Sequence, residues 1–212
     1  TYASDEILED SAISLGDFLS GPMGFAGGVQ WHEDYACLRG VGGQQPRGIL
    51  GAPGTAIVPR ITAGQVSYVD TVNMLEAFLP SSKGAWIMSH SLLPSIVQMA
   101  GPEGNPSYVW HPDATKGISG YLHGMPVVWT EKMPYRGTSG DIMLIDARYY
   151  LIGDRQATTI ESTKFGARWE YDETSWRVVH RVDGQPWLSH TITLQDGISV
   201  VSPFVVLDDE VS

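Results

Sequence analysis

The stretch that decides the fold runs from residue 142 to residue 185. It opens with IMLIDARYYLIGDR at 142–155 and closes with WRVVHRVDGQ at 176–185. The four apolar residues Ile142–Ile145 predict a short buried strand, because strands that lie inside a body read as continuous apolar runs. A short connection that carries two tyrosines follows that strand. This part of the stretch therefore predicts one strand of a compact body.

A long two-stranded ribbon is predicted downstream of that connection. Its strands are Gln156–Lys164 and Ser175–Val182. The second strand alternates with a period close to two, which indicates a strand that is wetted on one face. We expect Gly153-Asp154 to turn the chain out into the ribbon and Asp183-Gly184 to turn it back. The polar members favour a ribbon that projects from the body rather than lying inside it.

The composition bounds the class of protein. With 212 residues, 42% of them hydrophobic, the chain can pack a core in one large or two modest domains. The formal net charge is −11 and no cluster of lysine and arginine occurs, which argues against a surface that binds duplex DNA through its phosphates. The single cysteine, Cys37, excludes an intrachain disulfide and a multi-cysteine metal site, and we expect it to be a small buried apolar residue. Neither a membrane span nor a secretory leader is visible, so we expect no membrane partner.

Helical patterns occupy the first part of the chain. Ser4–Leu19 predicts a helix that Ser4 caps, and Phe25–Leu38 predicts a second helix. Gly40–Ala52 reads as a glycine-rich connector. It does not fit a dinucleotide-binding loop, because Gln45 stands where G-x-G-x-x-G needs its third glycine and the segment follows a helix rather than a strand.

The rest of the chain mixes helical and strand patterns, which favours an α+β body. Ser67–Leu79 predicts a helix whose Tyr68, Val72, Leu75 and Leu79 share one face. The other predicted elements are the strand Ala85–Met88, the helix Leu92–Ala100, the interrupted strand Tyr121–Thr130, the strands Thr191–Leu194 and Ile198–Leu207, and a solvated acidic tail at Asp208–Glu210.

Motifs of catalysis and metal binding are missing from the sequence. Six histidines are present without an H-E-x-x-H pair, and His111 and His123, which could approach each other, have no third ligand nearby. No G-x-S-x-G nucleophile motif occurs. Asp141, Asp146 and Asp154 flank predicted strands, where carboxylates more often stabilise turns or caps. We therefore expect no catalytic residue, no cofactor and no metal.

A series of short blocks follows one another along nearly the whole chain. They are Glu6–Ser11, Glu33–Ala36, Gly40–Ile49, Trp86–Ser89, Leu122–Val128, Gly140–Asp146, Tyr150–Arg155, Arg181–Gly184 and Ser202–Leu207. In this order and spacing, the blocks resemble the C-terminal three-quarters of the major capsid proteins of tailed phages and prophages, which have the Hong Kong 97-type fold.

The resemblance implies an α+β fold of two domains. A peripheral domain, residues 1–50 and 154–184, would hold a spine helix and the long ribbon. An axial domain, residues 51–153 and 185–212, would hold the mixed α/β body. The resemblance also implies a self-assembling shell subunit rather than an enzyme, whose pentamers and hexamers form an icosahedral head in the virion. Such a head would be assembled in the bacterial host cytoplasm around DNA that it contacts only non-specifically, without a cofactor.

Two departures from the family pattern are visible. The family's N-terminal arm and extended loop normally precede the spine helix, whereas this chain begins where that helix begins, which leaves open whether it assembles alone or stays monomeric. Lys–Asn cross-links are not expected, because the only asparagines are Asn73 and Asn105 and neither lies on the ribbon. The candidate subunit contacts are Glu6, Glu9, Tyr108, Trp110, Arg155, Lys164, Trp169, Trp176, Arg177 and Arg181, with the Glu103–Lys116 loop.

Two other interpretations of the sequence stay open. The same fold could form an encapsulin-type compartment that houses an enzyme, which a neighbouring gene for a cargo enzyme would favour. The chain could instead be a small acidic hydrolase or binding protein, which would need a pocket with convergent polar groups. The sequence does not display such a set of groups.

Overall fold

The computed structural model describes residues 1–10, 14–21, 23–80, 83–99, 110–112, 120–165 and 169–211. The helices are α1 (Asp5–Asp10), α2 (Leu15–Ser20), α3 (Phe25–Arg39), α4 (Tyr68–Glu76) and α5 (Leu93–Val97). The strands are β1 (Tyr2–Ser4), β2 (Ala56–Arg60), β3 (Ala85–Ser89), β4 (Trp110–Pro112), β5 (Gly120–Leu122), β6 (Met125–Thr130), β7 (Ile142–Ile145), β8 (Tyr150–Thr163), β9 (Glu173–Pro186), β10 (Ile192–Thr193), β11 (Val200–Val201) and β12 (Phe204–Val211).

The chain divides into two compact units. Unit 1 comprises Thr1–Ala36 and Ile152–Asp183, and unit 2 comprises Cys37–Leu151 and Gly184–Ser212. The sheet of unit 1 has the strand order β1-β9-β8. Unit 2 is organised around a sheet with the order β2-β12-β7-β3-β6-β5-β4. Each unit therefore has its own sheet. Among the described residues, no helix is both long and apolar enough to cross a membrane.

The first predicted helix is wrong as a single element. Ser4 caps α1 as expected, since its Oγ accepts a hydrogen bond from the Ile7 amide at 3.4 Å. However, α1 ends at Asp10, and residues 11–13 of the predicted helix lie outside the described residues. The α2 helix has its own cap, because Ser14 is non-helical and its side chain accepts from the Asp17 amide at 3.3 Å. A serine hydroxyl that caps a new helix competes with continuation of the old one.

The ribbon strands are longer than predicted, and both predicted turns beside them are wrong. Gly153 and Asp154 lie within β8, and Asp183 and Gly184 lie within β9. Gly184 is needed for close packing: a Cβ there would stand 2.8 Å from Cε1 of Tyr150. Tyr150 in turn donates its hydroxyl hydrogen to the Arg47 carbonyl at 3.0 Å. An Asp-Gly pair that usually signals a turn is thus used here for close contact with an aromatic ring.

One face of the unit 2 sheet carries the main core. Helices α4 and α5, with the 3-10 helix His90–Leu92 before α5, pack on this face through Met74, Ile96 and Leu92. These three side chains are fully buried, as are Trp86 and Leu144 of the sheet. The buried strand Ile142–Ile145 is confirmed, as are the strand that begins at Ala85 and the helix that begins at Phe25. A second apolar cluster packs against the opposite face; its buried members are Leu38, Ile49, Met133, Met143, Ile145, Phe204 and Val206.

The second face of the sheet is covered only in its middle. One row across five strands comprises Ile57, Val206, Met143, Ile87 and Val128. Val206 and Met143, in the centre of the row, are buried, whereas Ile57 and Val128 are 64% and 50% exposed. The ends of this apolar row therefore face solvent in the isolated chain.

Several predicted elements of unit 2 need correction. The predicted strand Tyr121–Thr130 is a hairpin, because His123 and Gly124 have φ values of 49° and 78° and form its turn. The α4 helix buries Asp70, Thr71 and Met74 rather than Val72, since Ser67 and Asp70 form a capping box that sets which side faces the core. The helix predicted at Leu92–Ala100 is shorter, because α5 ends at Val97, and Ala100 lies outside the described residues. The strand predicted at Ile198–Leu207 is divided into β11 and β12, and the acidic tail Asp208–Glu210 lies in β12. Cys37 is half-buried rather than buried.

Candidate functional site: the ribbon and helix α1

The predicted contact residues lie mainly in unit 1. Glu6 and Glu9 are exposed on α1. Arg155 is exposed on β8, and Arg177 and Arg181 are exposed on β9. The structure therefore places these five side chains on two surfaces, an acidic helix and a ribbon strand pair that carries arginines.

The other predicted contact residues have different surroundings. Trp110 is only 9% exposed and meets Trp129 edge to face at 5.9 Å, so it belongs to the core of unit 2. Trp176 is half-buried on β9, and Trp169 lies in the 3-10 helix Trp169–Tyr171. Tyr108 and most of the Glu103–Lys116 loop lie outside the described residues.

The two faces of the ribbon can be assigned from side-chain contacts. We call the ribbon the part of β8 and β9 from Ile152 to Thr163 and from Glu173 to Asp183. Thr158 and His180 share one face, where Thr158 Oγ1 is 3.2 Å from His180 Nδ1. Glu161 and Arg177 form an ion pair on the other face. Since alternate residues of a strand point to opposite faces, Arg155 and Arg181 lie on the same face as Arg177.

The inner face of the ribbon, which carries Thr158 and His180, faces α3. Nε2 of His180 lies 3.5 Å from the Glu33 carboxylate on α3, and the side chains of both residues are largely shielded from solvent. The outer face, which carries Arg155, Arg177 and Arg181, is exposed. The three arginines are therefore exposed, with Arg177 paired to Glu161, whereas the imidazole supports the packing of the ribbon on its own helix.

Strand β1 adds a third strand to the ribbon sheet, beside β9. The sequence patterns did not predict this strand. Tyr2, Ala3 and Ser4 pair antiparallel with Ser175, Thr174 and Glu173. A three-residue strand has too short a pattern to detect, and its partner is far away in sequence. The only available signal was the short run of β-tolerant residues before the first cap.

Asp5 fixes the start of α1 to the ribbon. Its Oδ2 lies 2.6 Å from Lys164 Nζ, and its Oδ1 accepts from Thr174 Oγ1 at 2.5 Å. The hydrogen bond from Lys164 and that from Thr174 lower the pKa of Asp5, while the same carboxylate raises the pKa of Lys164. Lys164, predicted as a contact between subunits, thus has a partner within its own chain.

A groove lies beside Arg177 on the outer face. It has a volume of about 520 Å³, and its lining includes Thr1, Tyr2, Glu161, Thr163 and Arg177. Tyr2 is 56% exposed and supplies an apolar wall. The groove therefore combines an aromatic surface with a charged rim.

The histidines and aspartates considered as metal ligands or catalytic groups lie apart from one another. Within the described residues, no group of three or more His, Cys, Asp or Glu side chains comes together to hold a metal ion. His123 instead lies beside Thr71, with 2.9 Å between Nε2 and Oγ1, and Asp146 caps the 3-10 helix Ala147–Tyr149. Asn73 lies on α4 and not on the ribbon, and Asn105 lies outside the described residues.

The sequence and the fold both have known relatives. A family model described as the phage capsid family matches residues 1–195. The capsid of an empty GTA particle, computed with C5 symmetry, has a TM-score of 0.74 at 20% identity, with 98% of this chain and 70% of that chain covered. Among curated proteins, no sequence match is found.

Two further structures share the fold. The chain named for Mycobacterium phage Bobi has a TM-score of 0.62 at 13% identity, with coverage of 97% of this chain and 68% of that one. The holo-SrpI encapsulin complex from Synechococcus elongatus PCC 7942 has a TM-score of 0.67 at 11% identity, with coverage of 99% and 71%. Identities this low relate the folds and not the individual activities, whereas the family match covers most of the sequence.

Proposed function

Because the chain belongs to the phage capsid family and is a shell protein of the Hong Kong 97-like fold, we propose that its copies form the pentamers and hexamers of an icosahedral phage or prophage head around DNA. The observation that carries this proposal is the family match over residues 1–195. The work of such a subunit is geometrically specified association and not turnover, so we expect no catalytic activity. The head would be assembled in the cytoplasm of the bacterial host.

We assign domain roles to the two units by their elements. Unit 1, with α3 and the ribbon, would be the peripheral domain, and unit 2, with the larger sheet, would be the axial domain that surrounds the capsomer axis. Under this assignment the domain boundaries are those of the two units. The second segment of unit 1, Ile152–Asp183, is within two residues of the expected 154–184, whereas its first segment ends at Ala36 rather than at residue 50. The contacts between subunits would then use the exposed residues of the ribbon and α1, with Glu6, Glu9, Arg155, Arg177 and Arg181 foremost.

The net charge of the chain fits a container for DNA. A formal charge of −11 keeps free subunits apart and prevents a shell wall from holding the packaged duplex tightly, since like charges repel. Added salt screens this repulsion over a Debye length of about 8–10 Å. We therefore expect the rate of assembly to depend on ionic strength.

The test is electron microscopy of the product of the full coding sequence that contains this chain. Closed, uniform shells with fivefold vertices would support the proposal, and small compact particles at every salt concentration would contradict it. The second candidate function is an encapsulin-type compartment, which is favoured by the shared fold of the encapsulin complex. Nuclease treatment of the shells distinguishes this function from that of a phage head. Protected DNA inside the shells would indicate a phage head, whereas a protein cargo without DNA would indicate a compartment.

A further inference from the structure

Strand β8 lies at the edge of the unit 1 sheet. Among the described strands it pairs only with β9, so one side of its backbone has no strand beside it. The strand is 14 residues long, contains no proline and has only three charged residues, Asp154, Arg155 and Glu161. Natural edge strands are usually short, covered, or interrupted by proline or charge, because an open edge pairs readily with another strand. The length and composition of β8 therefore indicate an edge that binds a further strand.

The main-chain groups on the open side of β8 can be identified. Thr1 and Trp176 exchange two hydrogen bonds, of 3.0 and 2.9 Å, so the main-chain groups of Trp176 point to β1. The main-chain groups of its neighbour Arg177 then point to β8, where Glu161 lies opposite. Because this direction alternates along a strand, the even-numbered residues of β8 carry their N–H and C=O groups on the open side. We call these groups, from residues 154, 156, 158, 160 and 162, the open edge of β8.

One antiparallel register matches the side chains along this edge with those of the same edge in a second copy. When Thr158 of one copy lies opposite Thr158 of the other, Arg155 of each copy lies opposite Glu161 of the other. Both positions are on the exposed outer face, and opposite charges at directly paired positions stabilise a sheet. Asp154, the third charge of the strand, lies opposite Ser162. A shift of the centre by one residue in either direction places a threonine opposite Arg155 and loses both charge pairs.

The same register also satisfies the main chain. It places even-numbered residues opposite even-numbered residues, so the open edges of the two copies meet and form roughly ten hydrogen bonds. Arg155 and Glu161 then occupy non-hydrogen-bonded positions, where the side chains of paired strands approach each other most closely. The charges and the main chain thus select the same register.

The ion pair that Glu161 makes within its own chain is compatible with this contact. Arg177 of β9 binds Oε2 of Glu161, so Oε1 can accept from Arg155 of the second copy. The remaining charged residues of the outer face belong to β9, one strand away from the contact, and are Glu173, Arg181 and Asp183. The contact therefore adds a partner to Glu161 without removing one.

We propose that the open edges of β8 in two copies of the chain pair antiparallel about a twofold axis at Thr158, which joins two ribbons into one continuous sheet. The contact is isologous, because both copies use the same surface. It rests on the proposed shell function and specifies it further. Neighbours in a ring of five or six copies meet through two different surfaces, so a twofold contact of this kind joins subunits of different capsomers.

Engineered cysteines test the contact and its register in the product of the full coding sequence. In the proposed register Ala157 lies opposite Thr159 of the second copy, and both are exposed on the outer face. Residues that face each other at non-hydrogen-bonded positions have Cα atoms about 4.5 Å apart, within reach of a disulfide. We expect the co-expressed variants Ala157→Cys and Thr159→Cys to give a disulfide-linked dimer on oxidation.

Two controls accompany this cross-link. Each cysteine variant expressed alone should give no linked dimer, because its thiols are then diagonal neighbours with Cα atoms about 7–8 Å apart. Co-expressed Ala157→Cys and Thr163→Cys should also give none, because Thr163 lies opposite Gly153 in this register. A linked dimer from the second pair and not from the first would show a different register and overturn the proposal.

Charge reversal measures the contribution of the ion pairs. Arg155→Glu places like charges opposite each other at both charge pairs of the contact, which should reduce association, and with it the yield of shells, by about tenfold. Adding Glu161→Gln to this variant removes the repulsion and should restore most of the yield. Arg181→Glu is the matched control, because it makes the same charge change on the same face of β9 and should assemble like the unaltered protein.

The outcomes separate this contact from the shell function. If the unaltered protein forms no shells, the shell function fails, and the cross-link in solution decides the contact: a linked dimer supports it and its absence overturns it. Shells that form without the cross-link overturn the contact, as does an equal yield from Arg155→Glu and the unaltered protein. A thiol of the Ala157→Cys variant that is shielded from labelling in shells without cross-linking to Thr159→Cys would place another segment on this edge and also overturn it. Circular dichroism melts confirm that each variant folds.

Discussion

Arg60 and Asp141 form an ion pair of 2.8 Å whose two side chains are completely buried. Arg60 also donates to the carbonyls of Asp208 and Gln65, both at 2.9 Å, and the second oxygen of Asp141 accepts from the Gly137 amide at 2.8 Å. One guanidinium thus joins the end of β2 to β12 and to two loops of unit 2.

Removal of one member of this pair should destabilise the protein strongly. Arg60→Met leaves the Asp141 carboxylate buried without its partner, which typically costs about 3–5 kcal/mol. The double variant Arg60→Met with Asp141→Leu should recover most of that loss, because no charge stays buried. Urea unfolding of the single and double variants measures the difference.

Arg177→Met is the control for this experiment. Its guanidinium also binds a carboxylate, that of Glu161, but the two side chains are 71% and 59% exposed, so the loss should be much smaller. Equal losses at Arg60 and Arg177 would contradict the importance of burial.

His123 should make unit 2 sensitive to mild acid. Burial lowers the pKa of His123 below its ordinary value of 6.5, and the ring lies between Tyr68 and Trp86 with Thr71 at its Nε2. Protonation therefore favours the unfolded chain, so stability falls as the pH drops below about 6.5. The variant His123→Asn, which tolerates the left-handed backbone at φ 49°, should lose this part of the pH dependence.

Thermal melts between pH 7.5 and pH 5 measure the effect. His32→Asn, at an exposed histidine of α3, is the matched control and should keep the pH dependence of the unaltered protein. If the His123 variant and the unaltered protein had parallel pH profiles, the proposed role of His123 would be refuted.

The attachment of α1 to the ribbon should weaken at low pH. The pKa of Asp5 is lowered in the folded state by Lys164 and Thr174, so its contribution is complete above its unfolded pKa and is lost as the pH falls through the folded one. Hydrogen exchange, taken relative to the intrinsic rate at each pH, should show a loss of protection of the Asp5 amide, which donates to the Asp172 carbonyl, below about pH 4. In the Asp5→Asn variant, the backbone amide of residue 5 should exchange fast at neutral pH. In the control variant Asp17→Asn on α2, the same amide should stay protected.

Gly184 should tolerate no side chain. Alanine there would place Cβ 2.8 Å from the Tyr150 ring, and overpacking of this kind costs about 1–3 kcal/mol. Gly153→Ala is the matched control in β8, because the nearest atom to its Cβ would be the Asp183 carbonyl oxygen at 3.8 Å. A melting temperature of Gly184→Ala equal to that of Gly153→Ala would show that the ring moves away at no cost.

Local patterns predicted the elements that depend on local interactions. The strand Ile142–Ile145 and the Ser4 cap of α1 follow from the residues themselves. The errors come from distant partners: Gly184 is extended because of Tyr150, and β1 exists because β9 pairs with it. Nothing in the sequence around Arg60 announces that its partner is Asp141, although an arginine at a buried position of an alternating strand was a usable signal.

The candidate contact surface was predictable only in part. The resemblance directed attention to the ribbon and α1, but not to which ribbon face is free. That distinction depends on Glu33, which covers the side of His180 and leaves Arg177 and Arg181 outside. A strand's alternation tells which residues share a face, whereas the packing of the folded chain decides which face is buried.

The place of β12 has a consequence for protein synthesis. This strand, the last along the chain, lies inside the sheet between β2 and β7, so those two strands have no partner in common until residues 204–211 leave the ribosome. Domains otherwise tend to fold from the N-terminus as they are made. A chain that ends before residue 204 therefore lacks the strand that joins β2 to β7, and its unit 2 has no continuous sheet.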